Sequence, residues 1–140
     1  MKGDFRIGSW LIEPTLNRIG RNGSSRHLEP KVMRVLVCLA EGKGKVVSKQ
    51  QLVNECWTGT FVTDDVLTRS ISELRDAFGD NARDPRIIQT IPKQGYRLVL
   101  PVAEQSTAAP AQEKKARLNL RLATSLCIAT VVAITALILL

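Results

Sequence analysis

The chain has 140 residues, of which 44% are hydrophobic and 24% are charged, and its formal net charge is +7 at pH 7. This length allows one ordinary domain with a short extension. The basic balance favours nucleic acid or an anionic membrane surface as a partner. With a single histidine and no Gly-rich phosphate loop or zinc-ligand spacing, the composition argues against an enzyme and predicts no cofactor and no metal site.

Short apolar runs separated by turn residues occupy positions 5–28. The segments FRI, WLIE, TLNRIGR and SRHL follow one another, and the last two flank the pair Asn22-Gly23. Both residues of such a pair accept the positive φ that a two-residue hairpin turn requires. The pattern predicts a small antiparallel sheet at the N-terminus.

Two helices are expected next. The first has Pro30 in its first turn and Gly42 at its end, and its apolar residues recur at helical spacing: Val32, Val35, Leu36, Leu39 and Ala40. After a short strand at Val46-Val47, Ser48 and Gln51 have the spacing of a capping box. The second helix that they begin would bury Leu52, Val53, Cys56 and Trp57.

A third helix is predicted from Asp64 to Phe78, capped by Thr63 and ended by Gly79. One face carries the apolar residues Leu67, Ile71, Leu74 and Phe78. The opposite face is polar, so it is either simply solvated or recognises a ligand. Residues 86–100 then read RIIQT, IPKQG and YRLVL, which predicts a terminal β-hairpin with a cationic tip.

The C-terminal part of the sequence predicts a membrane anchor. Residues 103–117 have the composition of a flexible linker, and residues 122–140 carry no charged side chain. As a helix rising about 1.5 Å per residue, this stretch suits a hydrocarbon core of ~30 Å, so a transmembrane helix is expected over residues 118–140. The basic residues that precede the uncharged stretch, Lys114, Lys115, Arg117 and Arg121, predict a single-pass protein of the inner membrane with its N-terminal domain in the cytoplasm.

The segments LVNECWTGTFVTDDVLTRSISELRDAFGD and PRIIQTIPKQGYRLV resemble the DNA-binding domain of OmpR/PhoB-type response regulators. Within them, SISELR and IPKQGYRL are more similar to the membrane-anchored CadC/ToxR-like transcription regulators. The resemblance covers roughly residues 3–102. It implies an α+β winged helix-turn-helix domain over residues 1–102, with an N-terminal antiparallel sheet, three helices and a C-terminal hairpin wing. The implied function is sequence-specific regulation of transcription by a one-component, membrane-anchored protein.

The same resemblance implies which residues face double-stranded promoter DNA. Helix 64–78 would lie in the major groove, and the wing, residues 92–95, would contact the minor groove or its phosphates. Arg69 is the candidate for reading a guanine edge, whereas Thr68 and Arg75 lie on the flank, where phosphate contact is expected. The complete implied set is Thr68, Arg69, Ser72, Glu73, Arg75, Asp76, Lys93, Gln94, Arg97 and Lys49. Further implied partners are RNA polymerase, at the loop 58–62, and a second copy of the chain on tandem half-sites or a membrane partner.

The third helix carries more acidic than basic residues, which leaves other functions open. Two arginines stand against Asp64, Asp65, Glu73 and Asp76, so attraction to phosphates must come from Lys49, Lys93, Arg97 and the helix dipoles. One alternative is a membrane-tethered protein-interaction module that keeps the winged fold and no longer binds DNA. Another is an accessory regulator that competes with a longer relative.

Overall fold

The computed structural model describes residues 3–105 of the chain. Two antiparallel sheets and three helices follow one another as an α+β winged helix-turn-helix, so the predicted fold of this domain is confirmed. In chain order the elements are β1 (Phe5–Ile7), β2 (Trp10–Glu13), a 3-10 turn (Pro14–Leu16), β3 (Arg18–Arg21), β4 (Ser24–His27), α1 (Pro30–Glu41), β5 (Val47–Ser48), α2 (Lys49–Cys56), α3 (Asp64–Phe78), β6 (Ile88–Ile91), β7 (Gly95–Leu98) and β8 (Val102–Glu104).

The N-terminal sheet has the strand order β4-β3-β2-β1-β8. Its predicted hairpin is present: Asn22 and Gly23 have φ values of 52° and 80°, and Arg21 pairs with Ser24 across the turn. Strand alternation sends every second side chain to one face, where Phe5, Ile7, Ile12 and Ile19 are fully buried. This face covers one side of the helical core.

Strand β8 extends the domain beyond the boundary that the sequence suggested. Ala103 and Glu104, which the sequence placed in the linker, pair with Arg6 and Phe5 of β1. Backbone pairing satisfies the otherwise open edge of β1, and the partly buried Val102 of β8 packs against the core. Residues 106–117 of the predicted linker and the predicted transmembrane helix lie outside the described residues. Between residues 3 and 105, no helix is both long enough and apolar enough to cross a bilayer.

The three helices pack together through the predicted apolar faces. Leu36 and Leu39 of α1, Leu52 of α2, and Leu67 and Leu74 of α3 are fully buried. The second sheet, in the order β5-β7-β6, closes this core and holds the hairpin beside α3. The predicted apolar stripes on α1 and α3 are therefore confirmed as packing surfaces.

The helix caps differ in detail from the sequence prediction. Ser48 Oγ accepts the predicted hydrogen bond from the Gln51 N–H at 3.1 Å, but the Gln51 amide donates to Glu55 instead of returning to Ser48. At α3, the Thr63 side chain makes no capping hydrogen bond within the described chain. The first turn of α3 is closed through the backbone instead, where the Thr63 carbonyl accepts the Val66 N–H at 3.1 Å.

Candidate nucleic-acid interface

Helix α3 presents a continuous polar face to solvent. Thr68, Arg69, Ser72 and Asp76 are exposed, and Glu73 is half-buried beside them. The acidic residues Asp64 and Asp65 lie in the first turn, where the helix dipole favours negative charge. At the other end, Gly79 adopts a left-handed φ of 67° and ends the helix. The polar face therefore runs along a 15-residue helix and is accessible to solvent over its length.

Arg69 is the more exposed of the two arginines on α3. Its side chain is 83% exposed, and its Nε lies 3.3 Å from Glu73 Oε1 on the next helical turn. Exposed pairs of this kind contribute about 0.3–0.5 kcal/mol, so the pair holds the guanidinium only weakly. Arg69 can thus exchange Glu73 for another acceptor at little cost.

Two hydroxyl groups flank Arg69. Thr68 Oγ1 donates to the Asp64 carbonyl at 2.9 Å, and Ser72 Oγ donates to the Thr68 carbonyl at 3.0 Å. These bonds use the hydroxyl protons and leave oxygen lone pairs facing solvent. In this arrangement both side chains act as acceptors or as small apolar contacts.

Arg75 connects the polar helix to the hairpin. Its Nη2 donates to the Ile88 carbonyl at 3.1 Å and to Thr90 Oγ1 at 2.8 Å, both on β6. Its Nε is buried and has no hydrogen-bond partner among the residues described. The sequence placed this side chain on a flank facing phosphate; in the structure Arg75 is half-buried, and its Nη2 bonds to β6. Arg75 therefore links α3 to the hairpin.

The hairpin between β6 and β7 ends in the exposed tip Pro92-Lys93-Gln94. Lys93 has a left-handed φ of 63°, and the Gln94 N–H closes the turn on the Ile91 carbonyl at 3.1 Å. This geometry leaves Lys93 exposed to solvent at the tip of the hairpin.

Lys49 lies where α2, α3 and the hairpin tip meet. Its backbone N–H donates to the Gln94 carbonyl at 3.3 Å, and its Nζ lies 3.5 Å from Asp64 Oδ2. On the hairpin itself, Arg97 Nε donates to Gln89 Oε1 at 2.7 Å across the β6–β7 pair. The structure therefore gathers the predicted cations Lys49 and Lys93 at one end of α3. Arg97 is half-buried along the hairpin.

A groove of about 990 Å³ lies beside this junction. It is bounded by α2, by the loop 58–62, by the start of α3 and by the hairpin tip. Phe61 in that loop is fully exposed and lines the groove.

The comparisons with known proteins agree with this geometry. A family model described as "Transcriptional regulatory protein, C terminal" matches residues 23–98. The chain belongs to this family. Its members share the OmpR/PhoB-type domain that the sequence resembles.

Similar proteins are transcriptional regulators. The chain is 45% identical over 98 residues to the transcriptional activator CadC of Escherichia coli K12, which covers 69% of this chain and 19% of CadC. The solved DNA-binding domain of E. coli CadC is 42% identical, with a TM-score of 0.67, and covers 74% of this chain and 97% of that one. The DNA-binding domain of Klebsiella pneumoniae RstA, solved in complex with the RstA box, is 26% identical with a TM-score of 0.61, covering 68% and 95% of the two chains. The chain spans about a fifth of the length of CadC.

Two further residues of this OmpR/PhoB-type domain were not identified from the sequence. Arg26 of β4 donates from Nη1 to the Asp76 carbonyl at 3.3 Å and so adds a cation to the C-terminal end of α3. Asp80, which follows α3, accepts the backbone N–H groups of Arg86, Ile87 and Ile88. Arg26 lies 50 residues from its partner, and no local pattern indicates such a contact. Asp80 lies in the polar loop DNARDP, where no sequence pattern distinguishes its carboxylate from that of Asp84.

Proposed function

We propose that residues 3–105 form the sequence-specific DNA-binding domain of a transcriptional regulator, with α3 in the major groove and the hairpin tip on the minor groove or its phosphates. The observation that carries this proposal is the exposed polar face of α3 held at a fixed angle to the cationic hairpin tip. The likeness to the RstA domain, whose structure was solved with its DNA box, supports this use of the surface.

Each side chain of the surface has a proposed role. Arg69 exchanges Glu73 for the O6 and N7 atoms of a guanine, for which its planar fork is suited. Thr68, Ser72, Glu73 and Asp76 contribute acceptors along the groove, while Lys93, Gln94, Lys49 and Arg97 contact or neutralise phosphates. Arg75 acts by positioning the hairpin, because its guanidinium is already bonded to β6.

The membrane and protein partners are part of the same proposal. The uncharged stretch 122–140 after a basic segment supports a single-pass anchor in the inner membrane, with the domain on the cytoplasmic side. Phe61 and its loop form a surface that suits RNA polymerase. A single domain with few cations favours pairing of two copies on tandem half-sites, since each copy supplies only a part of the electrostatic attraction.

A protein-interaction module that does not bind DNA is the second candidate. The excess of acidic over basic residues on α3 and the full exposure of Phe61 favour it. The two functions differ in their dependence on salt, because only DNA binding releases condensed counterions.

We expect Lys93→Ala to weaken binding to every duplex alike. Removing one phosphate contact should lower the slope of log affinity against log salt by about 1. The measurement is fluorescence anisotropy of residues 1–105 with a mixed-sequence duplex, over roughly 50–200 mM salt.

The matched control is Lys45→Ala. Lys45 is an exposed lysine in the loop before β5, where the register of β5 and β7 places it at the opposite end of β7 from the hairpin tip. This variant removes the same charge and should leave the slope closer to that of the unmodified domain. Equal slopes for the two variants would contradict a specific role of the tip, and a binding curve that does not respond to salt would favour the interaction module.

A further inference from the structure

Two cysteine side chains meet between α1 and α2. Cys38 Sγ lies 3.7 Å from Cys56 Sγ, and both thiols are free in the described structure. A disulfide bond is about 2.05 Å long, so the sulfurs are already in van der Waals contact and must approach by less than 2 Å to bond. No other pair of thiols occurs within residues 3–105.

The pair is reachable from one side. Cys38 is half-buried, whereas Cys56 is fully buried behind it. A shallow pocket of about 330 Å³ opens on Cys38 and is bounded by Pro30, Arg34 and Glu55 among others. A small oxidant can therefore reach the Cys38 sulfur, while Cys56 is placed to react only with Cys38.

Charged groups around the sulfurs favour ionisation of one of them. The hydrogen bond from the Cys38 thiol, together with the positive charges of Arg34 and Lys31, lowers the pKa of Cys56 against the opposing effect of burial. The hydrogen bond to Cys56, burial and the neighbouring Glu55 carboxylate raise the pKa of Cys38. The Cys38 thiol therefore holds its proton more tightly than the Cys56 thiol, so ionisation of the pair places the thiolate first on Cys56. A thiolate is the reactive form in disulfide chemistry.

We propose that Cys38 and Cys56 form a peroxide-sensitive dithiol that closes to an intramolecular disulfide in the folded domain. Cys56 loses its proton to solvent, and its thiolate then takes the proton of the Cys38 thiol 3.7 Å away. The Cys38 thiolate attacks one oxygen of hydrogen peroxide and breaks the O–O bond. This leaves a sulfenic acid on Cys38 and releases hydroxide, which combines with the solvent proton to give water. Cys56 then attacks the Cys38 sulfur and displaces the hydroxyl as water. In total, two thiols are oxidised to one disulfide, and one hydrogen peroxide is reduced to two waters.

The position of the bond gives it a structural consequence. Cys56 is the last residue of α2, directly before Trp57 and the loop 58–62 that leads into α3. A disulfide at this point attaches the end of α2 to the C-terminal half of α1. It therefore constrains the helix pair that supports the polar face, whether or not that face binds DNA.

The test uses the full chain in detergent with Cys127→Ser, so that Cys38 and Cys56 are the only thiols. Peroxide treatment should lower the intact mass by two hydrogens per chain and block alkylation of both thiols after denaturation. Dithiothreitol should reverse both changes, and digestion should yield a cross-linked peptide pair containing Cys38 and Cys56. Circular dichroism before and after treatment establishes that the domain stays folded.

Single-thiol variants separate the two steps. In Cys56→Ser, the Cys38 sulfenic acid should accumulate and be captured by dimedone. In Cys38→Ser, the buried Cys56 should remain reduced under the same treatment. The proposal is overturned if both thiols of the folded two-cysteine chain stay available for alkylation, or if the disulfide forms only between chains. It is also overturned if the bond forms as quickly in urea as in the native state.

Discussion

Replacing Gly95 by alanine is expected to destabilise the domain by about 3 kcal/mol, at the upper end of the usual cost of overpacking. Gly95 begins β7 and pairs with Ser48 of β5. A β-carbon at this position would overlap the carbonyl oxygen of Val47 and would lie 2.9 Å from Ser48 Cα. Both obstacles are backbone atoms, so they cannot move aside without separating β5 from β7.

The disruption caused by Gly95→Ala should extend from the hairpin to α2. The pairing of Gly95 with Ser48 holds the hairpin tip against the start of α2, where Lys49 N–H bonds to the Gln94 carbonyl. Urea unfolding of residues 1–105 measures the decrease in the free energy of unfolding. The control is Gly3→Ala, because a β-carbon at Gly3 meets no described atom within 4 Å. A loss below about 1 kcal/mol for Gly95→Ala would contradict this account of the packing.

The second large effect is expected at Asp80. Its Oδ1 accepts the Arg86 N–H at 2.8 Å, and its Oδ2 accepts those of Ile87 at 3.1 Å and Ile88 at 2.8 Å. These bonds connect the end of α3 to the start of β6. Asp80→Ala leaves three backbone donors without this acceptor, and we expect a cost of about 3 kcal/mol in the free energy of unfolding. The exposed Asp84 in the same loop provides the control, Asp84→Ala.

The pH dependence of the Asp80 variants follows from its ionisation. Burial alone would raise the pKa of this carboxyl, but the backbone hydrogen bonds, with Ile88 foremost, outweigh it and hold the pKa below its usual value. A group with a lowered pKa in the folded state stabilises the protein above its unfolded pKa of about 3.9, and that contribution is lost as the pH falls through the folded value. The difference in stability between the unmodified domain and Asp80→Asn should therefore be largest near neutral pH and shrink in acid. A difference that stays constant into acid would exclude the carboxylate as its source.

Local patterns were sufficient to predict most elements of the fold. The helical spacing of Leu67, Ile71 and Leu74 and the Asn22-Gly23 pair depend only on neighbouring residues, and the structure has α3 and the β3–β4 hairpin where they were expected. Strand β8 was missed because its pairing with β1 joins opposite ends of the domain. No property of VAE alone reveals that partner.

The candidate surface was predictable in its position but only partly in its contacts. Helical geometry places Arg69 and Ser72 outward, and both are exposed in the structure. The same geometry places Arg75 on the flank, where a long side chain can turn toward solvent or toward β6. Its bonds to Ile88 and Thr90 depend on how the hairpin packs, which spacing along one helix does not determine.

The most direct test of the DNA-reading surface is selection of bound sequences from a random duplex pool with residues 1–105 and with Arg69→Ala. The control is Arg6→Ala, an exposed arginine on β1. We predict that the unmodified domain and the control enrich the same motif. Arg69→Ala should lose discrimination at one base position, by about 1–3 kcal/mol, and keep the others. Failure of the unmodified domain to enrich any sequence at low salt, alone or joined as a dimer, would contradict the proposed function.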